Sequence, residues 1–574
     1  MRVQRQMLVI ALWLATVSAA AAETPAGAPQ RGSAAVSAGQ ASPLAHGLLP
    51  PRSVDALKSG VAVAGTALLL FGALRRLRHR EGSRTSPRSR GFDMALATLG
   101  LVGGLGWWNL LQFHYPGFHH PRDNFHYYLG AKYFPELAYT RLYACAAIAD
   151  REAGLRTGER GGRIRNLASN QLESAHDTLA HPELCKRHFS PQRWRDFTRD
   201  VGWMRDRIHS NKWNAIFLDH GYNGTPAWGI LGGTLSNASA LSFWPLRALT
   251  LLDPLLQLSM WASFVWAFGW RAACVGLLFW GTNYFSPFTW TGGGILRQDW
   301  LAASVLGIAL LKKGRPMAAG FLLTWAALLR IFPALILAGV ALKVLAGFWE
   351  RRSFALESSH RRIALGALLC LALAIPLSAL TVGRGDSAGS ESRGLGVWLD
   401  FYENSRVHLS TPLRNHMGLQ TLLAHDSAST SQKLRDRRLE DPFEPWKQAR
   451  RENFSARRPA FLVLVVAFAA FLAHVVRQRE DWVAAVLGIG LIPIATELTS
   501  YYLCILLGFA ALASRRNFVG AALVGLSALS WGIVEIWHWY DEIFTWLSLA
   551  VAAFVVLATA SELRPPSHAS GRET

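Results

Sequence analysis

Residues 56–80 read ALKSGVAVAGTALLLFGALRRLRHR. The stretch up to residue 74 is an apolar run that, as a helix, can cross the hydrocarbon core of a bilayer. Arginine then recurs through residues 75–90, and basic residues concentrate in loops on the cytoplasmic side of membrane proteins. The stretch therefore predicts a membrane-spanning helix and fixes the side of the membrane on which it ends.

Apolar runs of the same kind recur along the whole chain. Further runs lie near residues 93–112, 242–268, 272–290, 297–311, 317–330, 332–348, 363–382, 459–476, 482–497, 500–514, 518–536 and 543–560. Several are shorter than the roughly 20 residues of a full span, which predicts broken, tilted or re-entrant helices. The expected fold is an all-α polytopic membrane protein with about 11–13 transmembrane helices.

The composition excludes a soluble multidomain enzyme. Of 574 residues, 51% are hydrophobic and 17% are charged, whereas soluble proteins carry about 25% charge. The net charge of +21 would also suit a nucleic-acid-binding protein. Because the basic residues lie mostly between apolar runs, cytoplasmic loops facing anionic lipid are the better interpretation, and no nucleic-acid partner is expected.

The basic loops give a consistent orientation. Alternation from the first span puts the basic loops near residues 312–315, 351–362, 477–479 and 515–516 on the cytoplasmic side. The same count places two long polar segments, residues 113–241 and 383–458, outside. We expect a bacterial inner-membrane protein whose two long external loops form a periplasmic active face.

The N-terminus resembles a secretory signal, with Arg2 and Arg5, an apolar stretch at residues 7–17 and small residues at 20–22. An uncleaved first helix is the alternative. The expected divisions are a signal peptide or first helix at 1–22, a disordered periplasmic segment at 23–54, an extra transmembrane helix and basic cytoplasmic loop at 55–91, a membrane core at 92–382 that includes external loop 113–241, a second external loop at 383–458, C-terminal transmembrane helices at 459–560 and a cytoplasmic tail at 561–574.

The first external loop carries candidate catalytic residues soon after the membrane exit. Asp123 is suited to act as a general base on an acceptor hydroxyl, at the depth where lipid-linked substrates present their head groups. The alternative is an Asp that caps a helix starting at Asn124. Arg122 could neutralise a phosphate, and His126 and Tyr127 would extend the cleft. Four His lie between residues 114 and 126, but the proline among them prevents one helix from presenting them together, so no metal site is expected.

A second cluster precedes the next span. Asp219 and His220 begin a turn-rich stretch that lines a substrate cleft or forms a plain loop. Further along, residues 292–294 are three glycines before a helix start, which suits an anion or a flexible turn. Arg297 and Arg330 lie near membrane depth, where charged groups are costly and tend to be functional or paired. Snorkelling to the interface is the alternative for Arg330.

The second external loop is dense in side chains that bind phosphates and hydroxyls. They are Asn404, Arg406, His408, Arg414, Asn415 and His416. Later, Tyr501 and Tyr502 begin a helix on the same side, where they stack on a sugar or belong to the interfacial aromatic belt.

The cysteines divide by environment. Cys274, Cys370 and Cys504 lie in apolar runs and are interpreted as packing residues. Cys145 and Cys185 lie in the first external loop, where they either form a disulfide or stay free.

This layout resembles the GT-C superfamily of polytopic glycosyltransferases, and locally the polyprenol-phosphate-mannose-dependent mannosyltransferases. In that superfamily a first core helix leads into a long external loop with a catalytic Asp near its start, as 93–112 leads to Asp123. The residues that carry the local resemblance are DNFHYYLGA at 123–131, Arg330 with Pro333, and the polar-aromatic turn 497–502. Asn124 stands where some members have a second acid, which argues against a metal-dependent mechanism.

The resemblance implies inverting transfer of a hexose or pentose from a polyprenyl phosphate. Asp123 would take the proton of the acceptor hydroxyl, and Arg297, Arg330, Arg406 and Arg414 would bind the donor phosphate. The implied partners are a polyprenyl-phosphate-linked sugar, a glycan or lipid acceptor and the bilayer, with no cofactor.

Other functions remain open from the sequence. A transporter or flippase for a lipid or lipid-linked sugar explains charges within the membrane as a substrate path. Another membrane enzyme, such as a ligase or phosphotransferase, and a non-enzymatic scaffold are further alternatives. The discriminating feature is whether the charges face a path through the membrane or an external cleft beside Asp123.

Overall fold

The computed structural model describes residues 51–79, 90–113, 118–155, 162–208, 210–353, 356–384 and 393–563. The predicted signal peptide or first helix, most of the segment 23–54, the loop at 80–89 and the tail beyond 563 lie outside the described residues. Helices account for 74% of the structure.

Each predicted apolar run overlaps a helix. The helices from the N-terminus to residue 268 are α1 (Pro51–His79), α2 (Arg90–Trp107), α3 (Pro121–Asn124), α4 (Gly130–Lys132), α5 (Phe134–Leu137), α6 (Leu142–Glu152), α7 (Ala175–Ala180), α8 (Glu183–Lys186), α9 (Pro191–Arg205), α10 (Ser210–Ile216), α11 (Pro226–Asn237), α12 (Phe243–Thr250) and α13 (Leu252–Phe268). A 3-10 turn at Asn109–Leu111 and a π-helical turn at Phe125–Leu129 lie between them.

The remaining helices form most of the bundle. They are α14 (Trp270–Thr282), α15 (Phe288–Thr291), α16 (Asp299–Lys312), α17 (Pro316–Arg330), α18 (Ala334–Arg351), α19 (Ser358–Thr381), α20 (Val397–Leu409), α21 (Leu419–Ala424), α22 (Glu444–Val476), α23 (Asp481–Gly488), α24 (Leu491–Ala495), α25 (Asn517–Ile536) and α26 (Tyr540–Ser561). Gly394–Gly396 and Ser500–Ser514 are 3-10 helices.

The chain is a membrane protein by the length and apolarity of its helices. Among the described residues, six helices are long and apolar enough to cross a bilayer: Arg52–Arg75, Phe243–Phe268, Ser358–Thr381, Glu444–Val476, Asn517–Ile536 and Tyr540–Ser561. This is fewer than the 11–13 expected. The difference arises because helices such as α14, with 13 residues, reach only about 20 Å, short of the ~30 Å hydrocarbon core.

The bundle is closely packed where small residues meet. Helix α2 lies against α14, α17 lies between α16 and α19, and α1 lies against α25. A Cβ added to Gly281 of α14 would overlap the carbonyl oxygen of Gly103 in α2. Glycine at this crossing lets the two backbones touch, as is common between helices in membranes.

The described helices of segment 113–241 pack on one another through buried apolar side chains. Helix α9 buries Phe197, Val201 and Met204, and strands β1 (Arg163–Asn166) and β2 (Gln171–Ser174) pair as an antiparallel hairpin. A disulfide joins Cys145 in α6 to Cys185 in α8, which decides between the alternatives that the sequence left open. Cys274, Cys370 and Cys504 are buried free thiols.

The second long polar segment is tied to the late part of the bundle. Strand β3 (His416–Met417) pairs antiparallel with β4 (Leu498–Thr499). Helix α22 starts at Glu444, so the boundary predicted at residue 458 falls inside one helix. Helix α22 begins with several charged turns, and the apolar part that hydropathy detects follows in the same helix.

Candidate functional site

The turn that carries Asp123 is a capped helix start. The backbone N–H of Asp123 donates to His120 Nδ1 at 3.1 Å, and Pro121 occupies the first helical position, where its missing N–H costs nothing. The helix therefore begins before Asp123, and His120 is its cap. The alternative that Asp123 caps a helix starting at Asn124 is wrong, so the Asp123 carboxylate is not used to cap this helix.

A glycine loop docks onto this turn. The carbonyl oxygen of Gly293 accepts hydrogen bonds from the backbone N–H of His120 at 2.8 Å and from Asn124 Nδ2 at 3.1 Å. Gly293 has φ of +81°, and a Cβ there would overlap the carbonyl oxygen of Phe118. Only glycine permits this approach, and it brings the residues after the loop to Asp123.

Two arginines and Asp123 meet at Tyr127. Arg297 Nε lies 3.3 Å from Asp123 Oδ2, and the Arg297 guanidinium lies over the Tyr127 ring at 4.2 Å. The Arg330 guanidinium lies 5.9 Å from the same ring. Both arginines are thus held by an aromatic face beside the carboxylate, an arrangement stabilised by cation–π attraction. We call Asp123, Tyr127, Arg297 and Arg330 the central cluster.

The charged atoms of the central cluster are buried but not saturated. Asp123 Oδ2, Arg297 Nε and Nη1, and Arg330 Nε and Nη2 have no hydrogen-bond partner among the described residues. Arg330 Nη1 donates to the carbonyl oxygen of Leu329 at 2.8 Å. Asp123 Oδ2 and Arg297 Nε face each other at ion-pair distance, whereas Arg297 Nη1 and Arg330 Nε and Nη2 are left open. Buried polar groups are normally satisfied, so these open donors indicate a place for a polar ligand.

The surroundings change the proton affinity of Asp123. Burial raises the pKa of its carboxyl above the ordinary value, and Arg297 and Arg330 offset part of that rise. A carboxylate with a raised pKa binds a proton more tightly than an ordinary exposed carboxylate does. Transfer of a proton to it from a substrate hydroxyl is therefore less unfavourable.

Arg122 and Asp219 form a pair beside the central cluster. Arg122 Nη2 donates to Asp219 Oδ2 at 2.9 Å. Burial alone would raise the pKa of Asp219, but Arg122 and His126 outweigh it and the pKa is lowered. The prediction that Arg122 neutralises a phosphate is therefore not supported by its contacts, since Asp219 already neutralises it.

His126 has a structural role beside the central cluster. Its Nε2 lies 2.8 Å from the Tyr143 hydroxyl, and burial lowers the pKa of His126 to about 4. It is therefore neutral near pH 7. The Tyr127 hydroxyl donates to Asn223 Oδ1, which fixes the ring under the two arginines.

His220 and His408 form a second cluster next to Asp219. His220 Nδ1 lies 2.8 Å from Asn170 Oδ1, and the two imidazole rings are 6.1 Å apart. Burial lowers the pKa of both side chains, in His408 to about 4. Asn404, on the same helix as His408, is buried and its Nδ2 has no hydrogen-bond partner among the described residues.

Two of the predicted phosphate ligands have partners outside the central cluster. Arg406 is exposed and pairs with Glu403, one helical turn earlier, at 2.8 Å. The Arg414 guanidinium lies over the Phe443 ring at 4.1 Å and 5.9 Å from the Tyr540 ring. The contacts of these two arginines therefore give no support to the prediction that they bind the donor phosphate.

Tyr501 and Tyr502 join the central cluster. Their rings are 4.5 Å apart, and Arg297 lies 5.9 Å from the Tyr501 ring. The Tyr502 ring packs 5.1 Å from that of Phe332. They form an aromatic surface beside Arg297, and their stacking on a sugar stays a prediction.

Asn415 and His416 contact the segment that leads into Tyr501 and Tyr502. The Asn415 carbonyl oxygen accepts from the backbone N–H of Ser500 at 3.0 Å. His416 Nδ1 lies 3.3 Å from Glu497 Oε2, and Glu497 also pairs with Arg450. These contacts connect the second external segment to the start of the 3-10 helix Ser500–Ser514, which carries Tyr501 and Tyr502.

Two residues that support the Arg297 backbone were not among the predicted site residues. Asp253 lies inside an apolar run and accepts hydrogen bonds from the backbone N–H groups of Arg297 and Gln298, at 3.0 and 3.2 Å. Trp228 Nε1 donates to the carbonyl oxygen of Leu296 at 3.0 Å. An acid inside an apolar run is itself a signal of function or pairing, so Asp253 was open to detection; nothing local marks Trp228.

Among the described residues, no group of three or more His, Cys, Asp or Glu side chains is arranged to hold a metal ion. Comparison with known proteins gives no family model, curated protein or solved structure that matches the chain. The chemistry of the site is therefore judged from its own geometry.

Proposed function

We propose that this chain is a membrane glycosyltransferase of the GT-C type that transfers a hexose or pentose from a polyprenyl phosphate to an acceptor hydroxyl. The observation that carries the proposal is the buried Asp123 carboxylate, 3.3 Å from Arg297 and beside Arg330, with unused hydrogen-bond donors on both arginines. A general base next to two cations is what attack on a phosphate-linked sugar requires.

The donor phosphate would bind between Arg297 and Arg330. Each guanidinium offers N–H groups without hydrogen-bond partners among the described residues, and guanidinium groups bind phosphate oxygens in well-defined geometry. Because a phosphate is a good leaving group once its charge is stabilised, two arginines suffice where other reactions need an acid.

The proposed step balances as a single displacement. The acceptor oxygen forms a bond to the anomeric carbon while the bond from that carbon to the phosphate oxygen breaks, and the bonding electrons leave with the polyprenyl phosphate. The acceptor proton passes to Asp123. Attack opposite the leaving group inverts the anomeric configuration.

The aromatic side chains are suited to hold the sugar. Tyr501 and Tyr502 lie against the arginines, and tyrosine faces stack on the apolar faces of sugar rings as they do on other apolar surfaces. The acceptor would be a glycan or lipid, and the orientation of the basic loops favours the periplasmic face of a bacterial inner membrane.

The test is release of undecaprenyl phosphate from an undecaprenyl-phosphate-linked hexose or pentose by the full-length protein in lipid nanodiscs, with and without a panel of glycan acceptors. We expect the Asp123→Asn variant to lose about 10²–10⁴-fold in rate. Asp206→Asn serves as the matched control, because Asp206 is exposed and its ion-pair partner among the described residues is its neighbour Arg205, at 3.2 Å.

Full transfer by a folded Asp123→Asn protein would refute the role of Asp123. Absence of transfer with every donor, combined with movement of the intact lipid-linked sugar across a vesicle membrane, would favour the transporter alternative instead.

A further inference from the structure

The backbone next to Arg297 is held by buried side chains from other parts of the chain. Asp253 on α13 accepts the N–H groups of Arg297 and Gln298 with its two separate oxygens, Oδ2 at 3.0 Å and Oδ1 at 3.2 Å. Trp228 on α11 donates to the carbonyl oxygen of Leu296 at 3.0 Å. Three adjacent backbone groups of this short turn are thus hydrogen-bonded to side chains from outside it.

The turn needs such support because its backbone is strained. Leu296 has φ of +48°, a left-handed conformation that a leucine rarely adopts. Such a conformation persists only where the surroundings fix it. The conformation reverses the chain just before α16, which directs the next side chain, Arg297, toward Asp123.

Asp253 is unusually placed for a structural residue. It is 3% exposed and lies in a helix that is long and apolar enough to span a membrane, where a carboxylate is costly. Neither of its oxygens pairs with a lysine or arginine side chain at ion-pair distance among the described residues. Its two oxygens instead accept hydrogen bonds from two adjacent backbone N–H groups. Burying a carboxylate for these two bonds is favourable only if the position of that backbone matters.

We propose that Asp253 is the positioning residue for Arg297: its carboxylate fixes the strained turn so that the guanidinium faces the donor phosphate beside Asp123. This proposal rests on the proposed function, since it assigns Arg297 to the donor. Asp253 itself touches no substrate. Its removal would let the turn relax and the guanidinium leave the Tyr127 face, 4.2 Å away.

A double-mutant cycle tests this with undecaprenyl phosphate as the probe and the full-length protein in nanodiscs. Asp253→Asn keeps the size and shape of the side chain, but its amide NH₂ replaces one of the two oxygens and faces a backbone N–H group that has lost its acceptor. We expect roughly tenfold weaker binding of undecaprenyl phosphate. In the Arg297→Ala background the same change should have no further effect, because a residue acting through Arg297 loses its influence when Arg297 is gone. Equal losses in both backgrounds, or undiminished binding by Asp253→Asn, would overturn the proposal.

Gln257→Met is the matched control. Gln257 lies one turn further along the same helix, is 3% exposed, and its side-chain amide has no hydrogen-bond partner among the described residues. It should bind the probe as the unmodified protein does, so that a loss confined to Asp253→Asn is not a general effect of altering α13.

A second readout separates this proposal from the proposed function. If the unmodified protein does not bind undecaprenyl phosphate, the donor assignment falls, and hydrogen–deuterium exchange decides the positioning role without ligand. Faster exchange of the Arg297 and Gln298 amides in Asp253→Asn, but not in Gln257→Met, would support it. Unchanged exchange at those amides would overturn it.

Discussion

Substituting Gly294 by alanine should separate activity from folding. A Cβ at this position would overlap Asp123 Oδ2, and it would lie 2.7 Å from Arg297 Cγ and 3.1 Å from Asp123 Cγ. The added methyl group thus enters the space between the two charged side chains. No other described glycine lies between this carboxylate and this guanidinium.

The size of the effect follows from these distances. Carbon atoms in contact sit about 3.5–4.0 Å apart, so the methyl group must displace the Arg297 and Asp123 side chains by about 1 Å. A misplacement of that size costs roughly 100-fold in catalysis. The Asp123 carboxylate can rotate away, so the loss of folding free energy should stay near the lower end of the 1–3 kcal/mol typical of overpacking.

The assay combines transfer from an undecaprenyl-phosphate-linked sugar with thermal unfolding in the same nanodiscs. Gly60→Ala is the control, because it makes the same chemical change in α1 with nothing within 4 Å of the new Cβ. Alanine has the higher helix propensity, so this variant should be neutral or slightly more stable, with normal transfer.

Wild-type transfer by Gly294→Ala would refute the reasoning, because it would mean that the contact between Asp123 and Arg297 is not needed for the reaction. A protein that fails to unfold cooperatively would instead show that the methyl group disrupts the fold, and Asp123→Glu would then probe the same spacing from the other side.

Three further outcomes follow from the structure. Arg406→Gln should change transfer less than twofold, because Arg406 is exposed and its ion-pair partner among the described residues is Glu403, at 2.8 Å. Exposed pairs contribute little, and a large loss of transfer would instead support a role for Arg406 in binding the donor. Replacing Cys145 and Cys185 by alanine should lower the unfolding free energy by about 2–4 kcal/mol, since the bond closes a loop of 40 residues; an unchanged melting temperature would contradict this. His126 has a pKa lowered to about 4, so the unfolded chain binds its proton first as pH falls: the stability that His126 contributes is present above about pH 6.5 and is lost toward pH 4, by up to about 3 kcal/mol. Unfolding of a His126→Asn variant should show a correspondingly smaller pH dependence, and an equal one would exclude His126 as the cause.

Much of the fold was open to prediction because its signal is local. The apolar runs predicted near residues 56–74 and 543–560, for example, lie on α1 and α26. Span lengths were less predictable, since hydropathy cannot see where a helix breaks: the run 482–497 is two short helices, Asp481–Gly488 and Leu491–Ala495. The helices Leu142–Glu152 and Pro191–Arg205 pack on one another, and helical periodicity in a sequence does not identify which other segment an apolar face contacts.

The site was predictable residue by residue and unpredictable as a set. Asp123 was a candidate because of its type and place, and Arg297 and Arg330 because charge near membrane depth is costly. The same reasoning chose Arg406 and Arg414 with equal force. One pairs with Glu403 and the other packs on Phe443, and neither contact leaves a mark in the surrounding sequence.

The sequence by itself determined that this is a helical membrane protein, where its helices run and which residue types are available for chemistry, because hydropathy and charge are properties of each short stretch. Only the tertiary structure decided which of those residues meet. Asn124 and Gly293, which join the Asp123 turn to the glycine loop, are 169 residues apart. Their contact depends on a missing Cβ at Gly293 and on a backbone conformation fixed by side chains from two other helices. Such geometry arises only when the whole bundle packs, so it is not encoded in any single stretch of the chain.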